Sequence, residues 1–289
     1  MERIKTGIID VGGGMRGIYA AGVLDRCIDD GVLPDVCIGV SAGSGNLARF
    51  LARQPRCSYK YYTEYSFRKE YISVRNLLTT GNYVDLDYAY GTLTNSTGEM
   101  PLDYETLRTT PAELVVVATE AETGAARYFT KADIRQDDYD IMKASSTLPG
   151  VNKPYVIGGV PYFDGALSDP VPLGKALEMG CEKLVLLLTK PLDVQRTDTK
   201  DKAVAKLIRR RWPVAAENLC RRAERYNAAV ETAKAMAAEG KALIIAPVDT
   251  FGADTLSRKK EPLEKLYRAG YEDGAAVAPF LSGNAPANG

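Results

Sequence analysis

Apolar residues return along the chain in short, strand-length runs separated by stretches in which they recur every three or four positions. Residues 7–11 (GIIDV) read as a buried strand. Residues 17–30 follow with Ile18, Ala21, Val23, Leu24 and Ile28 at helical spacing, up to Gly31 and Pro34. Residues 35–40 read as a second strand, and 42–54 as a helix that opens on small residues. Further on, 113–119 and 125–130 flank the turn Glu122-Thr123-Gly124 as a hairpin, and 138–146 is a short helix stopped by Pro149-Gly150. A second hairpin, 155–157 with 160–163, turns at Gly158-Gly159 and leads into Asp164-Gly165-Ala166. A helix over 172–179, a strongly apolar strand over 183–189 and a polar linker over 190–199 come next. The C-terminal part reads as a long basic helical stretch, 200–239, broken near Pro213, then a strand at 241–247 and a helix near 261–280. Strands alternating with helices predict an α/β protein with a mainly parallel central sheet.

One region departs from this rhythm. Residues 53–110 carry Tyr59, Tyr61, Tyr62, Tyr65, Tyr71, Tyr83, Tyr88, Tyr90 and Tyr104 among charges, with little periodicity. The pattern predicts an insertion over the sheet edge at about 55–110, serving as a cap. Ordinary helices that use tyrosine as half-buried packing fit it equally well. The domain boundaries expected are a catalytic unit over 1–190 and a helix-rich extension over 191–289, packed on the core.

Composition narrows the chemistry. Lysine plus arginine balance aspartate plus glutamate at 37 each, so no global field points to nucleic acid. Five cysteines without a CxxC pair suit free thiols in a reducing cytoplasm better than disulfides or a zinc site. The first residues, interrupted by Asp10, lack the apolar core of a signal peptide, and no apolar run is long enough to span a bilayer. There is no histidine among the 289 residues. A serine nucleophile here would need a carboxylate or a lysine as its base.

That constraint bears on Gly39-Val40-Ser41-Ala42-Gly43, a G-x-S-x-G pentapeptide. The pattern alone is a weak signal. Its setting, a strand ending at Val40 and a helix starting at Ala42, is the strand–turn–helix context of a nucleophile elbow. Upstream, Gly12, Gly14 and Gly17 spell G-x-G-x-x-G. A dinucleotide site would want an acid at the end of the second strand, and that strand instead ends in Val40-Ser41. A glycine turn of exposed amides suits an oxyanion as well as a phosphate, and a plain tight turn is the bland reading. Ser145 and Ser146 lack flanking glycines and make poorer nucleophiles.

Taken together, the motifs resemble the patatin-like phospholipases. Gly12-Gly13-Gly14-Met15-Arg16-Gly17 is similar to their oxyanion loop and Gly39–Gly43 to their nucleophile turn. Asp164-Gly165-Ala166 is similar to their D-G-[GA] motif, and Ala144–Pro149 to the segment that precedes it. The likeness covers roughly residues 6–190. It implies a three-layer α/β/α fold and a Ser-Asp dyad, with Ser41 as nucleophile and Asp164 as general base. Gly12, Gly13 and Gly14 would supply oxyanion amides, Arg16 would hold their loop, and Gly39 and Gly43 would frame the elbow. No metal or organic cofactor is implied, and the substrate would be a lipid or other acyl ester. The family often has asparagine shortly after the aspartate motif, where this chain has Asp169; a second carboxylate there would raise the Asp164 pKa or face solvent.

Three rivals remain at this level: an acyltransferase or thioesterase with the same dyad, a nucleotide-binding oxidoreductase, and a non-catalytic regulatory protein. The run from Lys200 to Arg225, nine basic and three acidic residues, reads first as a solvated helix face and second as a transient contact with anionic lipid at a membrane surface.

Overall fold

The apolar runs assemble into one eight-stranded sheet, seen in a computed structural model that describes residues 3–283. The strands are β1 (Thr6–Asp10), β2 (Val36–Val40), β3 (Glu113–Glu120), β4 (Ala126–Thr130), β5 (Tyr155–Ile157), β6 (Val160–Asp164), β7 (Lys183–Leu187) and β8 (Ala242–Ile245). Their spatial order is β5-β6-β3-β2-β1-β7-β8, with β4 added to β3. The pairs among β3, β2, β1, β7 and β8 are parallel, and those joining β4, β5 and β6 are antiparallel.

The parallel strands read as unbroken apolar runs because both of their faces are covered. Ile8, Cys37, Leu114, Val116, Val185 and Leu187 enter one core, and Ile9, Ile38, Val115, Val117, Leu184 and Leu186 enter the other. The alternation is the two-residue period of a strand.

The helices of the first half are α1 (Ile18–Asp29), α2 (Ala42–Leu51), α3 (Cys57–Thr63), α4 (Val74–Thr80), α5 (Tyr104–Thr109) and α6 (Asp140–Ser145). Those of the second are α7 (Leu173–Glu178), α8 (Thr199–Ile208), α9 (Pro213–Ala238), α10 (Lys260–Asp273) and α11 (Val277–Ser282). Helices α1, α2, α6 and α10 bury their apolar stripes in the first core, and α7 and α9 in the second. The result is an α/β/α sandwich with a largely parallel centre and further helices from the C-terminal part.

Most element ends lie one to three residues inside the expected ones, as fraying termini do. Two helices differ more. The first begins as a 3-10 turn, Gly14–Gly17, and the last is split by another, Gly274–Ala276. A Cβ on Gly274 would press on Val23 and Arg26 of α1, so the chain there follows the close approach of α1. Strand β8 pairs with β7, and Tyr267 and Tyr19 tie α10 to α1 through hydrogen bonds to Asp25 and Asp273. Among the described residues no helix is long and apolar enough to cross a membrane.

Candidate active site

Strand β2 ends at Val40, and the next residue, Ser41, takes φ 57° and ψ −131° before α2 begins. A non-glycine residue held there is strained, and only surrounding contacts can maintain it. Those contacts are present. The Ser41 N–H donates to Ser145 Oγ at 2.8 Å, and the Ser41 carbonyl accepts from the Ser44 N–H and hydroxyl. Gly39 and Gly43 keep ordinary φ values, and their role is room. A Cβ on Gly43 would collide with the backbone of Asp10, and one on Gly39 with that of Ser44. The pentapeptide therefore spends its glycines on close packing and concentrates the strain on Ser41.

Asp164 ends β6, opposite Ala118 of β3, and only 1% of its surface is exposed. Its N–H donates to the Thr147 carbonyl and its carbonyl accepts from Thr119 Oγ1, so the backbone is fixed on both sides. The carboxylate accepts the Ala166 N–H at 2.8 Å and faces the Ser41 hydroxyl. Burial pushes its pKa up, while the neighbouring Ser41 hydroxyl, the bond from the Ala166 N–H and the fields of Arg222 and Arg196 restrain the rise. The structure thus brings Ser41 and Asp164 together from opposite sides of β3. Asp169 behaves otherwise than expected. Its half-buried carboxylate accepts the Tyr128 hydroxyl at 2.8 Å instead of facing solvent.

The glycine loop lies beside the elbow. Gly12, Gly13 and Gly14 have φ of 65°, 135° and 59°, three successive values that side-chain-bearing residues avoid. One expected role is corrected here. The Gly12 N–H is spent on Asp10 Oδ1 at 2.9 Å, so Gly12 has no amide left for an oxyanion. Its carbonyl accepts from Thr189 Oγ1. The N–H groups of Gly13 and Gly14 have no partner among the described residues and stay free. Arg16 ties the loop to a distant segment by donating from Nη1 to Thr255 Oγ1 at 3.2 Å, and Met15 N–H donates to the Thr255 carbonyl. Ala42, the first residue of α2, has an N–H of the kind that helix starts leave unpaired.

A cleft with about 530 Å³ of empty space opens onto Ser41, Ala42 and Gly14. Tyr61, Tyr62, Tyr71 and Tyr90 from the insertion line it, with Val84, Leu86, Leu148 and Leu256. The short helices of the tyrosine-rich stretch pack by tyrosine contacts, and four of its rings line the cleft at Ser41. A second, narrow cavity continues beneath Tyr61, Tyr62 and Tyr90 towards Met100, Leu102 and Met142. Ser146 lines the first cleft and pairs with the Tyr90 hydroxyl, whereas Ser145 is fully buried.

A serine elbow, a buried aspartate and a glycine loop on a mainly parallel sheet agree with the comparison to known families. A family model described as patatin-like phospholipase matches residues 11–177. The chain belongs to that family. Residues 213–280 match a second model, a domain of unknown function (DUF6363). The uncharacterized protein YjjU of Escherichia coli (strain K12) is 31% identical over 198 residues, covering 67% of this chain and 54% of that protein. The chain thus spans about half the length of that relative. The crystal structure of VipD from Legionella pneumophila aligns with a TM-score of 0.50 at 14% identity, over 98% of this chain and 67% of that one, a likeness of fold.

In this patatin-like site several residues escaped the sequence reading. Asp10 is fully buried, accepting from Gly12 N–H and, at 3.0 Å, from Asn46 Nδ2, and burial lifts its pKa to about 6. Its signal was an acid inside the apolar run GIIDV. Thr189 and Thr255 gave none, because they meet the site only through contacts more than a hundred residues apart in sequence, and Ser145, weighed only as a nucleophile, holds the Ser41 N–H instead.

Proposed function

We propose that the chain cleaves the carboxylic ester bonds of lipids, phospholipid or lysophospholipid among them, through an acyl-enzyme on Ser41. The observation that carries this reading is the strained Ser41 facing a buried Asp164 in a chain without histidine. Ser41 Oγ attacks the ester carbonyl and its proton passes to Asp164. The negative charge on the carbonyl oxygen is met by the free amides of Gly13 and Gly14, with Ala42 N–H at the helix start. Collapse expels the alcohol, which takes the proton back from Asp164. Water, deprotonated by the same carboxylate, then releases the fatty acid and restores Ser41. Burial raises the pKa of Asp164, which makes it a stronger base than an exposed aspartate.

In this reading the acyl chain enters beneath the tyrosine-rich cap over about 55–110, and residues 191–289 form an extension that holds the oxyanion loop through Thr255. Five free thiols fit action in the cytoplasm, at the surface of a membrane. No metal or organic cofactor enters the scheme. A fluorophosphonate probe tests it: the modified residue should map to Ser41, and Ser41→Ala should lose both labelling and turnover of a short-chain p-nitrophenyl ester. Turnover persisting in folded Ser41→Ala would overturn the assignment.

A further inference from the structure

Helix α4 turns its apolar side outward. Val74, Leu77 and Leu78 stand at the i, i+3, i+4 spacing that ordinarily faces a core. Here Val74 is 63% and Leu78 80% exposed, and no residue of the helix is buried. The helix is nonetheless firmly held. Ser73 caps it by accepting the Asn76 N–H, Gly81 closes it in a left-handed turn, and Lys153 donates from Nζ to the Thr80 carbonyl. At its base Ile72 bridges to Val84, and the Asn152 carboxamide accepts the Val84 N–H and donates to its carbonyl. A fixed apolar stripe left in water is unfavourable unless something covers it.

The stripe is part of a larger face. Leu77 borders a broad depression whose wall also takes Val156 from β5, Leu207 from α8 and Trp212 at the start of α9. Val156 is exposed, and Leu207 is 77% exposed. Elements far apart in sequence thus set apolar side chains around one hollow. Val151 and Asn152 line both this hollow and the Ser41 cleft. Tyr71, Val84 and Leu86, which flank α4 in the chain, line the cleft as well. The face therefore lies at the edge of the candidate active site.

The charges around it identify the partner. Arg211 lines the hollow, and Lys206, Arg209 and Arg210 are exposed within five positions of it. None of these cations forms an ion pair among the described residues, and the nearby Asp198 and Asp201 are spent on Lys202 and Arg222. Glu122 is the one acid among the residues described as lining the hollow. A second copy of the chain would set these cations against their own images. A bilayer with anionic lipid answers both features, with headgroups for the cations and an acyl boundary for the stripe.

We propose that α4, Leu207 and the Arg209–Arg211 turn form the face by which the protein settles on a bilayer carrying anionic lipid, with Val74, Leu77 and Leu78 entering the headgroup boundary. The inference deepens the ester-hydrolysis reading and rests on it only for what the docking serves, since the binding itself needs neither Ser41 nor Asp164.

The test separates binding from turnover. Full-length Ser41→Ala protein is sedimented with vesicles of phosphatidylcholine and with vesicles of equimolar phosphatidylcholine and phosphatidylglycerol. It should bind the anionic vesicles and be released by salt. Leu78→Ser with Leu207→Ser, both at exposed side chains, should weaken that binding about tenfold or more, the scale of two leucines kept out of lipid. Arg209→Gln, Arg210→Gln and Arg211→Gln together should weaken it about a hundredfold. Failure to sediment with either vesicle would overturn the proposal and leave the face to a protein partner. Binding that both sets of changes leave intact would overturn it too. So would a dimer in lipid-free solution that Leu78→Ser with Leu207→Ser dissolves, because the face would then belong to a second copy. In the wild-type background the same changes should leave hydrolysis of soluble p-nitrophenyl butyrate unaltered, since none of these residues lines the cleft. Vesicle binding by a chain that turns over no ester would support this face and strike the acyl-enzyme mechanism; turnover without vesicle binding would do the reverse.

Discussion

The ends of β1 and β6 make an instructive pair. Each delivers a fully buried aspartate into a turn containing glycine, beside the serine elbow. Asp10 is surrounded by neutral donors, the Gly12 amide and the Asn46 side chain, and burial dominates its pKa. Asp164 meets the Ser41 hydroxyl and the fields of two arginines. Burial raises both pKa values, but only Asp164 touches a group with a proton worth removing. Asp10 instead shapes the site, since its carboxylate draws in the Gly12 amide and its backbone is what a side chain on Gly43 would strike. Identical side chains with similar burial thus serve as a candidate base and as a brace.

The largest test of this contrast is Asp164→Asn. It keeps the shape and loses the acceptor of the proton, and kcat should fall by on the order of 10⁴, the scale seen when a serine triad loses a member. Binding of substrate should persist, and in the wild type kcat/KM should rise with pH through a single ionisation above the ordinary carboxylate range. An acid limb at the pH of an exposed aspartate would assign the base elsewhere. Next come Gly13→Val and Gly14→Val. Added side chains would strike Thr189 and Thr255, and losing an oxyanion donor costs about 10² to 10³ in kcat. Folded variants with wild-type kcat would reduce the loop to a turn.

Asp10→Asn should cost less activity and more stability. A carboxamide there sets its NH₂ against the Gly12 or Asn46 donor, a mismatch of about 1–3 kcal/mol. The pH dependence is specific. Between about 4 and 6 the folded protein keeps a proton on Asp10 that the unfolded chain has released, so wild-type stability falls as pH rises through that window. Asp10 accounts for at most about 3 kcal/mol of this fall. The deficit of Asp10→Asn, measured by urea unfolding, should shrink accordingly from pH 4 to pH 7; a constant deficit would show that Asp10 does not titrate there. The smallest effect belongs to Asp169→Asn, which removes a partner of Tyr128 and should leave the kinetic plateau and its acid limb in place. A shifted limb would reconnect Asp169 to the base.

Much of this frame was legible beforehand because it is local. A strand that alternates between two cores announces itself as an apolar run, and Ser41 followed by small residues announces a tight turn. What stayed hidden was long-range or depended on where amides point. Nothing in GGG says that the Gly12 N–H turns inward to Asp10 while its neighbours stay free. Asp169 follows Asp164 by five positions, yet the chain carries its side chain to Tyr128 of β4.

The Thr255 latch has a consequence for how the molecule is made. Met15 and Arg16 bond to a residue about 240 positions later in the chain, so the loop beside Ser41 cannot reach its final shape until that segment has been synthesised and β8 has docked. Contacts of such sequence separation form late in folding. A nascent chain still on the ribosome carries the serine and the aspartate, but not the finished oxyanion loop. On the proposed reading, esterolytic power would switch on only after the segment bearing Thr255 has left the ribosome and docked.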